Sequence, residues 1–537
     1  MNERIYEQQK QQLLQQSWLN WPGLSGWNFY FLLKIGLAAF NLINLQLISN
    51  LLFIALLLVP IKWLWLRWIR QLLALVAATA LLYQESYLPP FSRLTAQWQQ
   101  VSDFSVNYWL ELLARFVPLN AIAILLVAWI LYLYVAPRLR LTLITLLALL
   151  TLPLWQPMQA PPVEALPRSV NSEPLNATAS QTPSQFLQQF YARQQQLKTD
   201  FANLTDTGNM DILLVNICSL SWDDLTSQQL MNHPLLSRQD IIFQQYNSAT
   251  SYSGPAALRI LRAGCGQSSH QDLYQPAAAQ CLLASSLAEL GWKPELWFNH
   301  TGDFDNFRQS LQQYGGFAGI EPASLSGIDI SMRSFDQSPV YDDAQLLQQW
   351  LAQLDPQRPR FSFYNTVSLH DGNRIVNSSL SSLRSYGQRT EQLLNTLNQL
   401  YDAIERSGKP VLVVIVPEHG SGLRGDKLQL PGMREIPSPT ITHVPVFIRL
   451  FGPQMNGLPA PNLLVEKVTS PHAISEAIYT ILAQQPFTGG VYNPSAVADN
   501  VEATDWVAEN QAVVVLRYYQ QLLLKLGMDD WIAYPQQ

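Results

Sequence analysis

Val411-Leu412-Val413-Val414-Ile415-Val416-Pro417-Glu418-His419-Gly420 is the stretch whose reading decides the fold. Six aliphatic residues in a row, most of them β-branched, predict a strand buried on both faces, as in the middle of a parallel sheet. The run stops at Pro417, and a carboxylate and an imidazole follow at once. Glu418 and His419 therefore belong at the carboxyl end of the strand, the edge where open α/β sheets collect ligands. Side by side there, both can reach a divalent cation such as zinc. Taken alone, the stretch equally suits a turn carrying two solvated polar residues.

On either side of this strand the pattern alternates strand with helix. Strands are expected at 211–217, 241–245, 294–298, 361–367, 411–416 and 444–450. Helical stretches are expected between them at 281–290, 344–354 and 384–404. Such alternation predicts a mostly parallel sheet covered by helices on both faces. Ser470-Pro471 predicts a further helix start, running to about 482. The segment from about 506 to 526 reads as a closing helix.

The first 157 residues have another character. The chain has 537 residues with 48% hydrophobic and only 13% charged, but Leu, Trp, Ile and Ala crowd the beginning. Five apolar runs, near 28–48, 50–66, 71–88, 118–136 and 139–157, approach the roughly 17–25 residues that span a bilayer. Lys34 falls early in the first run, where it could snorkel toward headgroups. Lys62, Arg67 and Arg70 are read between the second and third runs, and Arg138 and Arg140 between the fourth and fifth. The positive-inside rule puts both groups in the cytoplasm and everything after about 158 outside. Trp63, Trp65, Trp68 and Trp155 mark the ends of runs, as an interfacial belt does. Five such runs are too many for a signal peptide alone.

Three parts follow from this: a transmembrane domain over 1–157, a linker and connecting helix over 158–205, and an exported catalytic domain over 206–537. The linker is rich in Pro, Ala, Ser and Asn as far as about 183, and an amphipathic helix is expected over roughly 184–204. The net charge of −6 argues against a nucleic-acid partner.

Other strand ends carry further candidates. The strand 211–217 runs into Cys218, either a buried structural thiol or a zinc ligand. Thr250-Ser251-Tyr252-Ser253-Gly254-Pro255 leads into a helical pattern. That puts Ser253 at a helix start, where free N–H groups favour anionic oxygen. It is either an N-cap or a nucleophile activated by a metal. His370 follows the strand 361–367 and suits binding a phosphate or protonating a leaving group. Arg434, in a polar loop, could clamp a phosphate or simply be solvated. Tyr252 and His300 are weaker candidates, and His443, opening a strand, reads as structural.

Strand–Cys218, Ser253 at a helix start, Pro417-Glu418-His419-Gly420 and the strand His443-Val444-Pro445-Val446-Phe447-Ile448 together resemble the alkaline-phosphatase/sulfatase superfamily. Within it the chain is most similar to the membrane-anchored phosphoethanolamine transferases. Their usual pattern is an acid after the first strand, a Thr nucleophile and an Asp-His pair, and this chain departs at all three places. The departures, with Asn216-Ile217-Cys218-Ser219-Leu220-Ser221-Trp222-Asp223-Asp224 and Gly432-Met433-Arg434-Glu435-Ile436-Pro437-Ser438-Pro439, resemble the members that modify cellulose.

The resemblance implies one zinc held by Cys218, Ser253, Glu418 and His419. It implies Ser253 as the nucleophile, with His370, Arg434 and Tyr252 around it. It further implies phosphatidylethanolamine as donor, the glucosyl 6-hydroxyl of exported cellulose as acceptor, and subunits of a cellulose synthase and export complex as partners in a bacterial inner membrane. No second set of Asp and His ligands is evident, so a two-metal phosphatase is not expected. A sulfatase would need the pattern Cys/Ser-x-Pro-x-Arg, and Ser253-Gly254-Pro255-Ala256-Ala257 lacks the Arg. A lipid A transferase and a catalytically idle scaffold of the export complex are the other readings. In an oxidising compartment Cys265 and Cys281 are expected to pair, leaving Cys218 free.

Overall fold

In the computed structural model, residues 23–86, 104–155 and 181–535 are described, apart from 41, 62, 117–118, 206–207, 356, 456–457, 459 and 528–529. The linker expected up to about 183 lies almost wholly outside them. The chain divides into two compact units, 1–90 with 116–164 and 91–115 with 165–537.

The smaller unit contains the helices Trp27–Ala39, Leu47–Leu58, Leu64–Glu85, Leu119–Val135 and Leu141–Trp155. Leu64–Glu85, with 22 residues, is long and apolar enough to cross a membrane by itself. At 1.5 Å per residue it is about 33 Å long. Leu47–Leu58 is apolar but shorter than a span. Two expectations change here. Lys34 does not reach outward, because its ammonium is buried against Glu85 Oε2 at 2.5 Å and Asn50 Oδ1 at 2.7 Å. A buried ammonium needs an anionic partner, and Glu85 at the far end of another helix supplies it. Arg67 and Arg70 are not in a loop but in the first turns of Leu64–Glu85. They fold back onto the preceding turn, Arg67 donating to the Ile61 carbonyl and Arg70 to that of Val59.

The larger unit is built on β1 (Asp211–Ile217), β2 (Ile241–Asn247), β3 (Lys293–Phe298), β4 (Ile330–Arg333), β5 (Pro339–Tyr341), β6 (Arg360–Thr366), β7 (Arg374–Ile375), β8 (Val411–Pro417), β9 (His443–Phe451) and β10 (Leu463–Thr469). A seven-stranded sheet runs in the order β10-β2-β9-β8-β1-β6-β3. All its neighbours are parallel except β9, which is antiparallel to both β2 and β8. β8 and β1 lie at the centre, and every residue of both is buried. Ile212, Leu214, Val414 and Val416 face one core with the helices Ser253–Leu261 and His472–Ala483. Leu213, Val215, Val413 and Ile415 face the other, under the long helix Ser382–Ser407. That two-sided burial is why β8 reads as an unbroken aliphatic run.

The closing helix does not exist. β11 (Val507–Asn510), β12 (Val513–Tyr518), β13 (Gln521–Leu526) and β14 (Ile532–Ala533) form an antiparallel meander instead. Val513-Val514-Val515 is β-branched three times over, which favours strand, and the ladder hydrogen bonds outweigh the helical spacing of the Leu residues. The expected amphipathic helix is shorter than 184–204. It spans Pro183–Gln194, opened by a capping box at Thr182, and buries Phe186 and Phe190 against Val507, Leu516 and Leu523. The helix expected from Ser470 begins at His472, with Pro471 in the cap position and no side-chain cap.

Candidate active site

β1 and β8 are neighbours in register, Ile217 opposite Pro417, so their carboxyl ends deliver Cys218 and Glu418-His419 side by side. Each leaves its strand under constraint. Ser219 takes a left-handed φ of 69°, a cost for a non-glycine residue that recurs at functional turns. Gly420 is required by close approach, since a Cβ there would stand 2.6 Å from Ser221 Oγ. Asp224 locks the two loops together. Its carboxylate accepts from the Ser221 amide at 2.9 Å and the Ser421 amide at 2.8 Å. Burial lifts its pKa to about 6, although those donors pull it back.

Ser253 approaches from the helix Ser253–Leu261. Tyr252 holds the cap position, and no side chain caps the helix, so the serine is the first helical residue with its hydroxyl unspent on capping. Its Oγ stands 3.3 Å from Cys218 Sγ and 3.2 Å from His419 Nε2. Cys218 Sγ and His419 Nε2 are 4.0 Å apart, and Glu418 Oε2 lies 3.9 Å from the same nitrogen. Cys218, Glu418 and His419 are fully buried, whereas Ser253 and Arg434 are partly exposed.

The imidazole Nδ1 lies 2.9 Å from the Gly420 carbonyl and donates to it, which leaves Nε2 as the acceptor facing the cluster. Glu418 Oε1 accepts from Asn365 Nδ2 at 2.7 Å, while Oε2 is buried with no hydrogen-bond partner among the described residues. A buried carboxylate oxygen without a donor is costly. Here it faces a thiol, an imidazole nitrogen and a hydroxyl, the donor set a zinc ion takes. The residues therefore fit a metal.

Electrostatics tell the same story. Burial, helped by the Glu418 charge, pushes the Cys218 thiol up to about 12. Burial raises the Glu418 carboxyl and lowers the His419 imidazole. Burial is the largest cause in all three, since it disfavours the charged form of each group.

The other sequence candidates divide into those that join the cluster and those that support it. Arg434 joins: its Nη1 lies 3.2 Å from both ring nitrogens of His419 and 3.1 Å from Ser219 Oγ. His370 is half-buried in the turn after β6, close enough to lower His419, and desolvation with the Arg434 charge brings its own pKa to about 4. Tyr252 is turned aside, its hydroxyl 2.6 Å from Glu435 Oε2. His300 touches no member of the cluster but holds Asn365 Oδ1 at 2.8 Å, fixing the amide that donates to Glu418. His443 ties β9 to the Gln244 carbonyl of β2.

Two supporting residues escaped the sequence reading. Asn365, in β6, is one. Asn510, in β11, is the other: it donates to the Glu435 carbonyl at 2.7 Å and accepts from Thr250 Oγ1 at 2.8 Å. Asn510 thus pins the serine loop to the arginine loop, a role hidden while its segment was read as helix. Cys265 and Cys281 form a disulfide, and Cys218 is free.

A serine hydroxyl at a helix start thus stands beside a buried thiol, carboxylate and imidazole at the carboxyl edge of this mixed sheet. The chain belongs to the cellulose biosynthesis protein BcsG family. The model of that family's N-terminal domain matches residues 27–154, and that of its C-terminal domain matches 168–531. The chain is 38% identical to the cellulose biosynthesis protein BcsG of Salmonella typhimurium strain LT2 and 36% identical to that of Escherichia coli K12. Either alignment covers 97% of this chain and 98% of the relative. Among solved structures it is similar to a protein in the alkaline phosphatase superfamily from Vibrio parahaemolyticus. The identity is 13% and the TM-score 0.45, over 66% of this chain and 88% of the other.

Proposed function

We propose that the chain transfers phosphoethanolamine from phosphatidylethanolamine to the glucosyl 6-hydroxyl of exported cellulose, through a covalent intermediate on Ser253. The observation that carries this reading is the meeting of Ser253 Oγ with Cys218, His419 and the partnerless Glu418 Oε2. Cys218, Glu418, His419 and the serine oxygen would hold one zinc ion. A bound cation there supplies Lewis-acid stabilisation of negative charge on the reacting oxygens.

The protein's own groups do the rest. Ser253 Oγ forms a bond to phosphorus as the phosphorus–oxygen bond to diacylglycerol breaks. The serine proton passes to the departing diacylglycerol oxygen. The cellulose hydroxyl then displaces Ser253, and its proton returns to the serine. Arg434, beside His419, binds the phosphoryl oxygens. With its pKa brought to about 4, His370 is a neutral imidazole at pH 7 and can carry the proton between acceptor and leaving group. Tyr252 positions the loop through Glu435.

In this reading residues 1–157 anchor the protein as a multi-pass inner-membrane domain. Residues 158–205 are the linker and connecting helix, and 206–537 form a periplasmic catalytic domain facing subunits of the cellulose export complex. The Arg67–Arg70 and Arg138–Arg140 groups support that orientation. The Cys265–Cys281 bond suits an oxidising compartment. Incubation with a chromogenic phosphoethanolamine ester should leave a phosphoethanolamine adduct on the peptide containing Ser253. A wild-type protein that turns over the ester without that adduct would refute the covalent step.

A further inference from the structure

Residues 91–115 precede the apolar helix Leu119–Val135 in sequence, yet they belong to the catalytic unit. Most of the described part is one helix, Val106–Phe116, and its two edges differ sharply. Arg115 donates to both carboxylate oxygens of Asp371, at 2.6 and 3.0 Å, and to Glu111 at 2.6 Å. The other oxygen of Glu111 accepts from Arg374 at 2.7 Å. Tyr108 packs against Phe335 with the rings tilted, and Phe335 lies 5.4 Å from the ring of His370. Arg115 also lies against Gly432, two residues before Arg434: a Cβ on that glycine would be 2.8 Å from the guanidinium. One helix edge thus touches the loops that carry His370 and Arg434.

The other edge is Val106, Trp109, Leu110 and Leu113, spaced as one helical stripe and 74%, 46%, 59% and 59% exposed. Only residues 117 and 118 separate this helix from Leu119–Val135, whose Ile124, Val127, Ile130 and Leu131 are also exposed. In the sequence the stripe is thus followed directly by an apolar helix.

We infer that the helix Val106–Phe116 lies on the lipid surface through its Val106–Trp109–Leu110–Leu113 edge, while Arg115, through Asp371, holds the His370 turn in place for a donor still embedded in that surface. The inference rests on the proposed phospholipid donor and extends it. Arg115 is a positioning residue: it acts through Asp371 and touches no reacting atom. The arrangement is that of an interfacial amphipathic helix whose polar side is occupied by protein instead of water.

The test uses the full chain in vesicles of phosphatidylethanolamine and phosphatidylglycerol. A nitroxide on Leu110→Cys should collide more with oxygen than with a water-soluble nickel chelate. A water-like balance, or spin–spin broadening from a second copy, would overturn the inference. The double variant Leu110→Asp/Leu113→Asp should lose at least about tenfold in turnover of labelled phosphatidylethanolamine, since a buried leucine is worth a tenfold or more. Turnover of a soluble phosphoethanolamine ester should stay within about twofold, because the reacting groups are untouched. Equal losses on both substrates would overturn the lipid assignment. Arg115→Ala should lower kcat on the soluble ester with little change in KM, and Arg115→Lys should recover part of it. An Arg115→Ala enzyme with unchanged kcat would overturn the positioning role. Failure of the wild type to use either substrate would instead refute the proposed function, whatever the label reports.

Discussion

Two turns at the same sheet edge pair a carboxylate with an imidazole in opposite order, Glu418-His419 after β8 and His370-Asp371 after β6. In the first, one carboxylate oxygen is buried without a donor and the imidazole offers a free nitrogen beside a thiol and a hydroxyl. In the second, the carboxylate is saturated by Arg115, Tyr108, Ser382 and the Gly372 amide. A cation would pair with the Glu418 oxygen, whereas the Asp371 carboxylate already has its donors within the protein. The difference teaches that the partners of a buried carboxylate, more than its place beside a histidine, decide what it can do.

The comparison breaks first at the β8 turn. Cys218→Ala, Glu418→Gln and His419→Ala should each lower phosphoethanolamine transfer by about a thousandfold, the scale of losing a charge-stabilising group in an active site. Transfer assayed on the chromogenic ester checks this, and any of the three retaining wild-type rates would dissolve the contrast.

At the β6 turn the expected loss is smaller and falls on stability as well. Asp371→Asn removes charge-assisted hydrogen bonds worth about 1.5–3 kcal/mol and should shift the denaturation midpoint accordingly. Loosening of His370 should slow transfer by up to about a hundredfold, as misplacement of a reacting group does.

Acid should separate the two carboxylates by sign. Burial alone would raise Asp371, but the Arg115 hydrogen bonds and charge overrule it and hold the carboxyl below its usual 3.8. Its contribution is present above that value and is lost as pH falls through the folded-state pKa. In metal-free protein Glu418 behaves oppositely, because burial raises it above its usual 4.5. Its contribution is present below that value and is lost as pH rises through the raised pKa. Thermal melts of chelated wild type, Asp371→Asn and Glu418→Gln between pH 3 and 7 should show the variants flattening opposite slopes.

The smallest effect is expected at Tyr252→Phe. It removes one hydrogen bond to Glu435, about 1 kcal/mol, and should slow transfer about fivefold.

The sequence revealed strand ends more readily than their supports. Cys218 and Glu418-His419 were legible because aliphatic runs stop abruptly before them, and a strand's end fixes where the next side chains emerge. Asn365 and His300 carry no comparable signal, since a polar residue inside or just after a strand looks alike whether it serves a site or solvent. Asn510 is not legible from a segment that reads as a closing helix but whose β-branched valines and cross-strand pairs make a meander. β10, Leu463–Thr469, was missed because an edge strand exposes Leu464 and Glu466 and so lacks an apolar run. The helix Val106–Phe116 does leave a trace: Val106, Trp109, Leu110 and Leu113 at helical spacing, with Glu111 and Arg115 four apart, lie between two longer apolar runs.

Metal content decides between the two turns most directly. Elemental analysis of the purified full chain should find about one zinc per chain in wild type and in Asp371→Asn, and little in Glu418→Gln. Zinc retained in Glu418→Gln, or lost in Asp371→Asn alone, would contradict the assignment of the metal to Cys218, Ser253, Glu418 and His419.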